Sequence, residues 1–598
     1  MIELAQFQLD QVQTAQLDKL LLKSFGEVPP KTLEAKPIRL AIVGSSTLSH
    51  LSSSIRVGAL RRGIWIEIYQ APYGSYLFEL TAQNSDLKAF LPDAILISLD
   101  APYITKEVKS DWDLSDLSTN LDKTLSHLKQ CWLHANSICG HVIQQTFLPV
   151  FPSVFGQNEH RLPGSKAGFL TTLNARIRHE ADTGNIDLLT IDSLALEIGV
   201  PNLYSPLFWH TGKQEIKPTA APIYGDFLGR LLAAKQGLSA KCLVLDLDNT
   251  LWGGVIGDDG IDNIALGLGS PDGEAHLGLQ QYAAEMAGRG VLLAICSKNN
   301  EKTALAAFDE HPEMLLRRED ISSFRINWRD KVENISQIAE ELNIGLNSLV
   351  FVDDNPYERE LVRKYLPMVS VPELPDEPAL FAKTIADAGY FEGIHFSTED
   401  RNRTNLYKAD RQRARSKEAL LDMTDYLQSL QMVMNYNYLD QRNRKRVVQL
   451  INKTNQFNLT TRRYNDNDIS KIENSPDVFG LHFRLQDRFG DNGLISVVIC
   501  RKNTPDTATI DTWLMSCRVA NRKLEEAILD ALVLEAKRQG IDTYIGEYHP
   551  TKANDVVENH YLRLGFDNLL KSENGSSQWQ YKINRHTQKN SLITIAKS

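Results

Sequence analysis

Cysteine is scarce in this chain of 598 residues: six, at Cys131, Cys139, Cys242, Cys296, Cys500 and Cys517, with no C-x-x-C pair and no zinc-like spacing. That scatter excludes a disulfide-stapled scaffold and a cysteine zinc site, and it fits a reducing compartment. An excess of basic charge is also lacking. With 65 Lys and Arg against 75 Asp and Glu the formal charge is −10, so no global grip on nucleic-acid phosphates is available and any anion site is local. No run of about 18 uncharged apolar residues occurs, which argues against a membrane span. The opening MIELAQFQLDQVQ carries acids and glutamines where a signal peptide needs a basic end and an apolar run. The expectation is a soluble, cytoplasmic protein without nucleic-acid or membrane partners. No internal repeat is visible.

What is present is an ordinary globular composition, 42% hydrophobic and 23% charged, so the chain folds. At roughly 100–200 residues per domain, several domains are expected. Residues 1–36 read as one amphipathic helical arm, with Leu17, Leu20, Leu21 and Leu22 ahead of the breakers Gly26, Pro29 and Pro30. From Ile38, IRLAIVGSS, a helical stretch, IWIEIYQ and AILISLD alternate strand and helix, the pattern of a parallel sheet with its functional loops at the strands' carboxyl ends.

A second α/β block opens at Lys241. KCLVLDLDN, VLLAICSKN and SLVFVDDNP are apolar strands that each end in polar residues, separated by helices such as DKVENISQIAEELNIG, capped by Asp330 and closed by Gly345. Asp246-Leu247-Asp248-Asn249-Thr250 puts two carboxylates two residues apart just past a buried strand, so that one can attack and the other can move a proton. Phosphoryl transfer also needs donors on the equatorial oxygens and a cation against the charge. Ser297 offers a hydroxyl, Lys331 an ammonium, and Asp353 and Asp354 hard oxygens suited to Mg²⁺.

The order DxDxT, Ser, Lys, DD, each after an apolar strand, resembles the four motifs of the haloacid dehalogenase (HAD) superfamily. The resemblance implies Asp246 as the nucleophile that carries an aspartyl phosphate and Asp248 as general acid/base. It implies Thr250, Ser297 and Lys331 at the phosphate, and Mg²⁺ among Asp246, the Asp248 backbone carbonyl and one of Asp353, Asp354 or Asn355. CLVLDLDNTLWGGVIGDDG, AICSKNN, INWRDKVENI, VFVDDNPYERELVR, VPELP and LINKTNQFNLTTRRY look like the FkbH-like branch, over about Lys241 to Phe566. That resemblance implies a glyceryl transferase/phosphatase: a phosphoglyceryl unit is taken from 1,3-bisphosphoglycerate as a thioester, dephosphorylated, and passed to the phosphopantetheine thiol of an acyl carrier protein for polyketide or related biosynthesis. The alternative is a HAD phosphatase on a small phosphometabolite or phosphoprotein, without acyl transfer.

Cys296 has two readings: a thioester nucleophile favoured by the charge of Lys298, or a small hydrophobe on a buried strand, as Cys242 is read. Trp252 is either part of a short flap with Gly253 and Gly254 or a core aromatic. Little chain separates the motifs, so no lid domain is expected.

In the first block IVGSSTLSHL resembles the opening motif of SGNH hydrolases, with Ser45 where that family has Asp. No clear D-x-x-H precedes His210, so a degenerate scaffold is expected, with Ser45 and Ser46 left to line a pocket. WLMSCRVANRKLEEAILDALVLEAKRQG and YLRLGFD resemble a GNAT-type acyltransferase, but Asn521 and Lys523 stand where its pyrophosphate loop wants glycines. A docking domain is expected there, with Arg518 and Arg522 as contacts to a carrier's pantetheine phosphate and basic clusters at 401–417 and 442–446 facing an acidic carrier. The expected fold class is multidomain α/β: an arm (1–36), an SGNH-like domain (37–235), a Rossmann-like HAD domain with a parallel sheet (236–375), a helical connector (376–430), a GNAT-like α+β domain (431–585) and a loose tail (586–598).

Overall fold

The structure, a computed structural model, describes residues 3–394 and 422–597, apart from 27, 30–34, 183–185, 517–518, 521, 552–553, 573 and 590–591. The chain divides into two units, Met1–Lys235 with Asn465–Asn467, and Gln236–Tyr464 with Asp468–Ser598. The architecture is multidomain α/β, with two parallel sheets and one mixed sheet. Among the described residues no helix is long and apolar enough to cross a membrane.

The first unit is built on β1 (Lys36–Gly44), β2 (Ile64–Gln70), β3 (Ala94–Ser98), β4 (Val142–Gln145) and β5 (Asp187–Leu189), parallel and in the order β2-β1-β3-β4-β5. The helices Ser52–Leu60 and Ala221–Lys235 cross closely: a Cβ on Gly225 would sit 2.2 Å from the Ser54 carbonyl oxygen, so only glycine fits there. The arm is shorter than expected. Its helix runs Gln11–Phe25, because the Asp10 side chain accepts from Gln13 N and Gln13 returns a bond to Asp10 N, a capping box that fixes the start. Leu17 and Leu21 are buried, one turn apart, while Leu20 is exposed.

The second unit begins with β6 (Cys242–Leu245), β7 (Leu292–Ser297), β8 (Ile321–Ile326) and β9 (Leu349–Val352), all parallel, in the order β8-β7-β6-β9. Alternation sends Leu243, Leu245, Leu293 and Ile295 to one face and Cys242, Val244, Leu292 and Ala294 to the other. Both faces are covered, which is why these strands read as unbroken apolar runs. Part of the expected connector belongs to this core: Phe381 and Ile385, on the helix Phe381–Ala388, and Phe391 pack with Leu279 and Ala283. Most of the remaining connector, with the basic cluster at 401–417, lies outside the described residues.

The mixed sheet holds β10 (Met432–Tyr438), β11 (Val478–Asp487), β12 (Gly490–Thr504), β13 (Thr507–Met515), β14 (Thr543–Tyr548), β15 (Asp567–Lys571), β16 (Ser577–Lys582) and β17 (Ile593–Lys597), in the order β15-β16-β14-β13-β12-β11-β10-β17. The helix Leu524–Gln539 joins β13 to β14, whose parallel pairing is confined to Thr507–Ile510 against Thr543–Gly546. The tail is not loose: β17 pairs in parallel with β10, buries Ile593, and sets Nζ of Lys597 2.9 Å from Glu535 Oε2.

Candidate active site

Strand order places the site. From β6 the chain moves to β7 on one side and returns to β9 on the other, so the tips of β6 and β9 flank a topological switch point, where ligands of open α/β sheets bind. Asp246 follows β6, and its backbone N donates to the Val352 carbonyl at 3.0 Å. Asp353 and Asp354 follow β9. Lys331 is the first residue of the helix Lys331–Glu341, whose start is fixed by Asp330 accepting from Val332 N at 2.7 Å.

These four side chains converge. Nζ of Lys331, 4% exposed, lies 2.9 Å from Asp246 Oδ1 and 2.5 Å from Asp353 Oδ2. The contact with Asp353 is a hydrogen bond. That with Asp246 is an ion pair lacking hydrogen-bond alignment, and Oδ1 of Asp246 has no hydrogen-bond partner among the described residues. Burial opposes the Lys331 charge, but Asp246 and Asp353 outweigh it and hold the ammonium well above its usual range. Burial, then the neighbouring Asp246, raises the Asp353 carboxyl despite Lys331.

Asp246, Asp353 and Asp354 each offer one oxygen, all within 4.8 Å of one another. Three carboxylates, two of them in contact with a single ammonium, offer hard oxygens, and this donor set fits Mg²⁺. Of the residues expected at the metal, Asn355 caps the helix Pro356–Tyr365, accepting from Tyr357 N at 3.0 Å, and Asp248, expected there through its backbone carbonyl, has its carboxylate engaged by other donors.

Asp248 is held by three donors. Its Oδ1 accepts from Trp252 Nε1 at 2.9 Å and Ile256 N at 3.1 Å, and its Oδ2 accepts from Asn299 Nδ2 at 2.8 Å. Burial raises its pKa more than these donors lower it, and Asp246 adds to the rise. Such a carboxyl keeps its proton to higher pH than an ordinary aspartate.

One expected role changes and two open readings are decided. Thr250 is wholly buried; its hydroxyl accepts from Asp354 N at 3.1 Å and reaches Asp354 Oδ1 at 3.3 Å, so it ties the β6 and β9 loops together instead of facing a phosphate. Cys296 is 0% exposed within the cluster of Cys242, Val244 and Phe351, and burial pushes its thiol far up. Lys298, expected to favour its thiolate, pairs instead with Glu358 at 2.6 Å. Cys296 is therefore a core hydrophobe in this fold. Trp252 is also core, 0% exposed, edge-on to Phe308 with ring centroids 6.1 Å apart. Gly253 forms the short flap, exchanging backbone hydrogen bonds with Ala265. Ser297 sits at the tip of β7, and among the described residues nothing engages its hydroxyl.

Sequence reading missed three residues here. Arg359, buried, donates from Nη1 to the carbonyls of Asp353 at 2.8 Å and Asp354 at 2.7 Å, clamping the acidic loop. Asn299 orients Asp248. His276 donates from Nδ1 to the Thr250 carbonyl at 2.8 Å. The signal available for His276 was its place with Leu279, Gln280 and Ala283 on the buried face of the helix Pro271–Gly288.

In the first unit Ser45 donates to Asp100 and accepts from Asp100 N at 2.8 Å, so its proton is already committed. His210 is exposed and makes no bond to it, and no Ser-His-Asp triad forms there among the described residues. Ser46 is buried, and among the described residues its hydroxyl has no partner. In the last domain Arg522 turns inward to Asp487 at 3.1 Å, with both side chains buried, which removes it from a pantetheine phosphate. Arg518 lies outside the described residues.

No protein-family model matches the chain, and no curated protein does. Among solved structures, the N-terminal part of the protein BF1531 from Bacteroides fragilis, containing a phosphatase domain complexed with Mg, is similar at 29% identity and a TM-score of 0.58, covering 65% of this chain and 100% of that one. The GNAT domain of the S. lividans protein PAT matches at 15% identity and a TM-score of 0.20, covering 25% of this chain and 89% of that one. The ribosomal-protein-S18-alanine N-acetyltransferase from Escherichia coli matches at 14% identity and a TM-score of 0.20, covering 27% and 99%.

Proposed function

We propose that this chain is a Mg²⁺-dependent phosphatase of the HAD type, acting on a phosphate monoester through Asp246. The carrying observation is the buried contact of Lys331 with Asp246 and Asp353 at the sheet's switch point, beside an Asp248 carboxyl held above the usual range. The likeness to the BF1531 phosphatase domain supports the same reading. Mg²⁺ held by Asp246, Asp353 and Asp354 would supply charge neutralisation.

Lys331 and Ser297 would hold the equatorial oxygens of the phosphate. An Asp246 oxygen bonds to phosphorus while the ester oxygen leaves with the Asp248 proton. Water then attacks the same phosphorus and returns its proton to Asp248, freeing Asp246 and inorganic phosphate. The test is hydrolysis of p-nitrophenyl phosphate: turnover that needs Mg²⁺ and is lost in Asp246→Asn supports the reading, and turnover surviving in Asp246→Asn overturns it.

A finer reading is glyceryl transfer from 1,3-bisphosphoglycerate to an acyl carrier protein, and its support is the sequence resemblance from Lys241 to Phe566. Cys296 is withdrawn as its thioester residue, because its thiol is sealed in the core. Intact mass after incubation with the acyl phosphate and a carrier protein tests it, and no mass gain on the carrier removes it.

A further inference from the structure

A cavity of about 610 Å³ opens beside the acidic loop, with Asp354 on its wall. Its lining also includes Asp259, Asp272, Asp376 and Glu377, and among the described residues that line it none is lysine or arginine. With Asp354 assigned to the metal, four carboxylates remain. Asp259 Oδ2 accepts from Val255 N at 2.8 Å and Glu377 Oε1 from Ala379 N at 3.4 Å; neither has an ion-pair partner in the wall.

His276 supplies an independent observation. It lines the same cavity, is 2% exposed, and gives its Nδ1 proton to the Thr250 carbonyl, which can only accept. Burial lowers its pKa and so favours the neutral ring, in which Nε2 carries the lone pair. Nε2 has no hydrogen-bond partner among the described residues. It faces Gly253, another wall residue, where a Cβ would lie 3.1 Å from it. A ring nitrogen on the cavity wall that can accept and four carboxylates present the same chemistry to whatever fills the space.

We propose that the cavity receives the alcohol part of the phosphate ester, and that this part is rich in O–H or N–H donors and bears no negative charge. A carboxylate or second phosphate there would meet four like charges and a lone pair. A polyol or amino alcohol meets the acceptors of Asp259, Asp272, Asp376, Glu377 and His276. The inference rests on the phosphatase reading for the position of the phosphate, and it selects among esters that the same chemistry would cleave equally.

Glycerol 3-phosphate and 3-phosphoglycerate differ in one group, a hydroxymethyl against a carboxylate, and ethanolamine phosphate supplies the cationic arm. With Mg²⁺ and the full chain, kcat/KM for glycerol 3-phosphate and for ethanolamine phosphate is expected to exceed that for 3-phosphoglycerate by about 10-fold or more. The ratio should shrink in the Asp272→Lys/Asp376→Lys double variant, whose positions are exposed. The ratio is unaffected by partial loss of folded protein.

Calorimetric binding of the three esters to Asp246→Asn separates this inference from the catalytic one. Tighter binding of the uncharged and cationic alcohol phosphates supports the inference even if hydrolysis of p-nitrophenyl phosphate fails. Equal affinities, no binding of any ester, or a preference for 3-phosphoglycerate overturns it, whatever the hydrolysis assay shows.

Discussion

Nζ of Lys331 lies 2.5 Å from Oδ2 of Asp353, and both side chains are buried. The contact ties the first turn of one helix to the tip of β9, and the same ammonium reaches Asp246 past the tip of β6. One cation thereby sets the spacing of the acids that would handle phosphate and metal. Removing one partner of a buried pair leaves the other charged and unsolvated.

Lys331→Met is therefore expected to cost about 3–5 kcal/mol of stability without Mg²⁺, and to lower kcat for p-nitrophenyl phosphate about 10²–10³-fold with Mg²⁺ present. Denaturant unfolding and steady-state rates measure the two. An unchanged stability would mean that the pair is not formed.

Arg359 acts one layer further out, through the carbonyls of Asp353 and Asp354 and an ion pair with Glu373 at 2.6 Å. Arg359→Ala is expected to raise the Mg²⁺ concentration for half-maximal activity about 10–100-fold. If the half-saturating Mg²⁺ concentration stays put, the clamp has no bearing on the metal.

In the first unit Glu215 is buried and accepts from Ala101 N and Gln145 Nε2, but burial, then the charge of Asp100, raises its carboxyl from 4.5 to about 8. A carboxyl raised in the folded state binds its proton more tightly there than when unfolded. Its contribution is full below pH 4.5 and is lost as the pH climbs toward about 8. Unfolding free energy should fall over that window by up to about 1.4 kcal/mol per pH unit. Glu215→Gln should flatten the slope, and a slope unchanged in Glu215→Gln would assign the dependence elsewhere.

Cys296→Ala removes a buried sulfur and is expected to cost about 1 kcal/mol or more of stability, while hydrolysis of p-nitrophenyl phosphate stays within several-fold of the parent. A loss beyond 100-fold would return the thiol to the chemistry.

The strand tips were legible because buried parallel strands are unbroken apolar runs, and an acid or hydroxyl at the end of such a run stands out, as at Asp246, Ser297 and Asp353. What supports them was not. Arg359 and Asn299 act through a carbonyl and a carboxylate, contacts set by loop geometry that periodicity does not encode. Cys296 misled for a related reason: nearness in sequence to Ser297 and Lys298 suggested a shared site, while the pleat sends it to the core. Pairing across more than 150 residues joins β17 to β10, and no local pattern in RHTQKNSLITIAKS announces its partner. Thr250 reads as a phosphate ligand in isolation and becomes a strut only when β9 is placed beside β6.

The central claim is that Asp246 takes the phosphoryl group. Rapid acid quench of the full chain with Mg²⁺ and a phosphate monoester, followed by peptide mass analysis, tests it directly. The account predicts one phosphoryl group on the peptide containing Asp246 and none in Asp246→Asn. Turnover without any covalent phosphate, or phosphate on another residue, would contradict it.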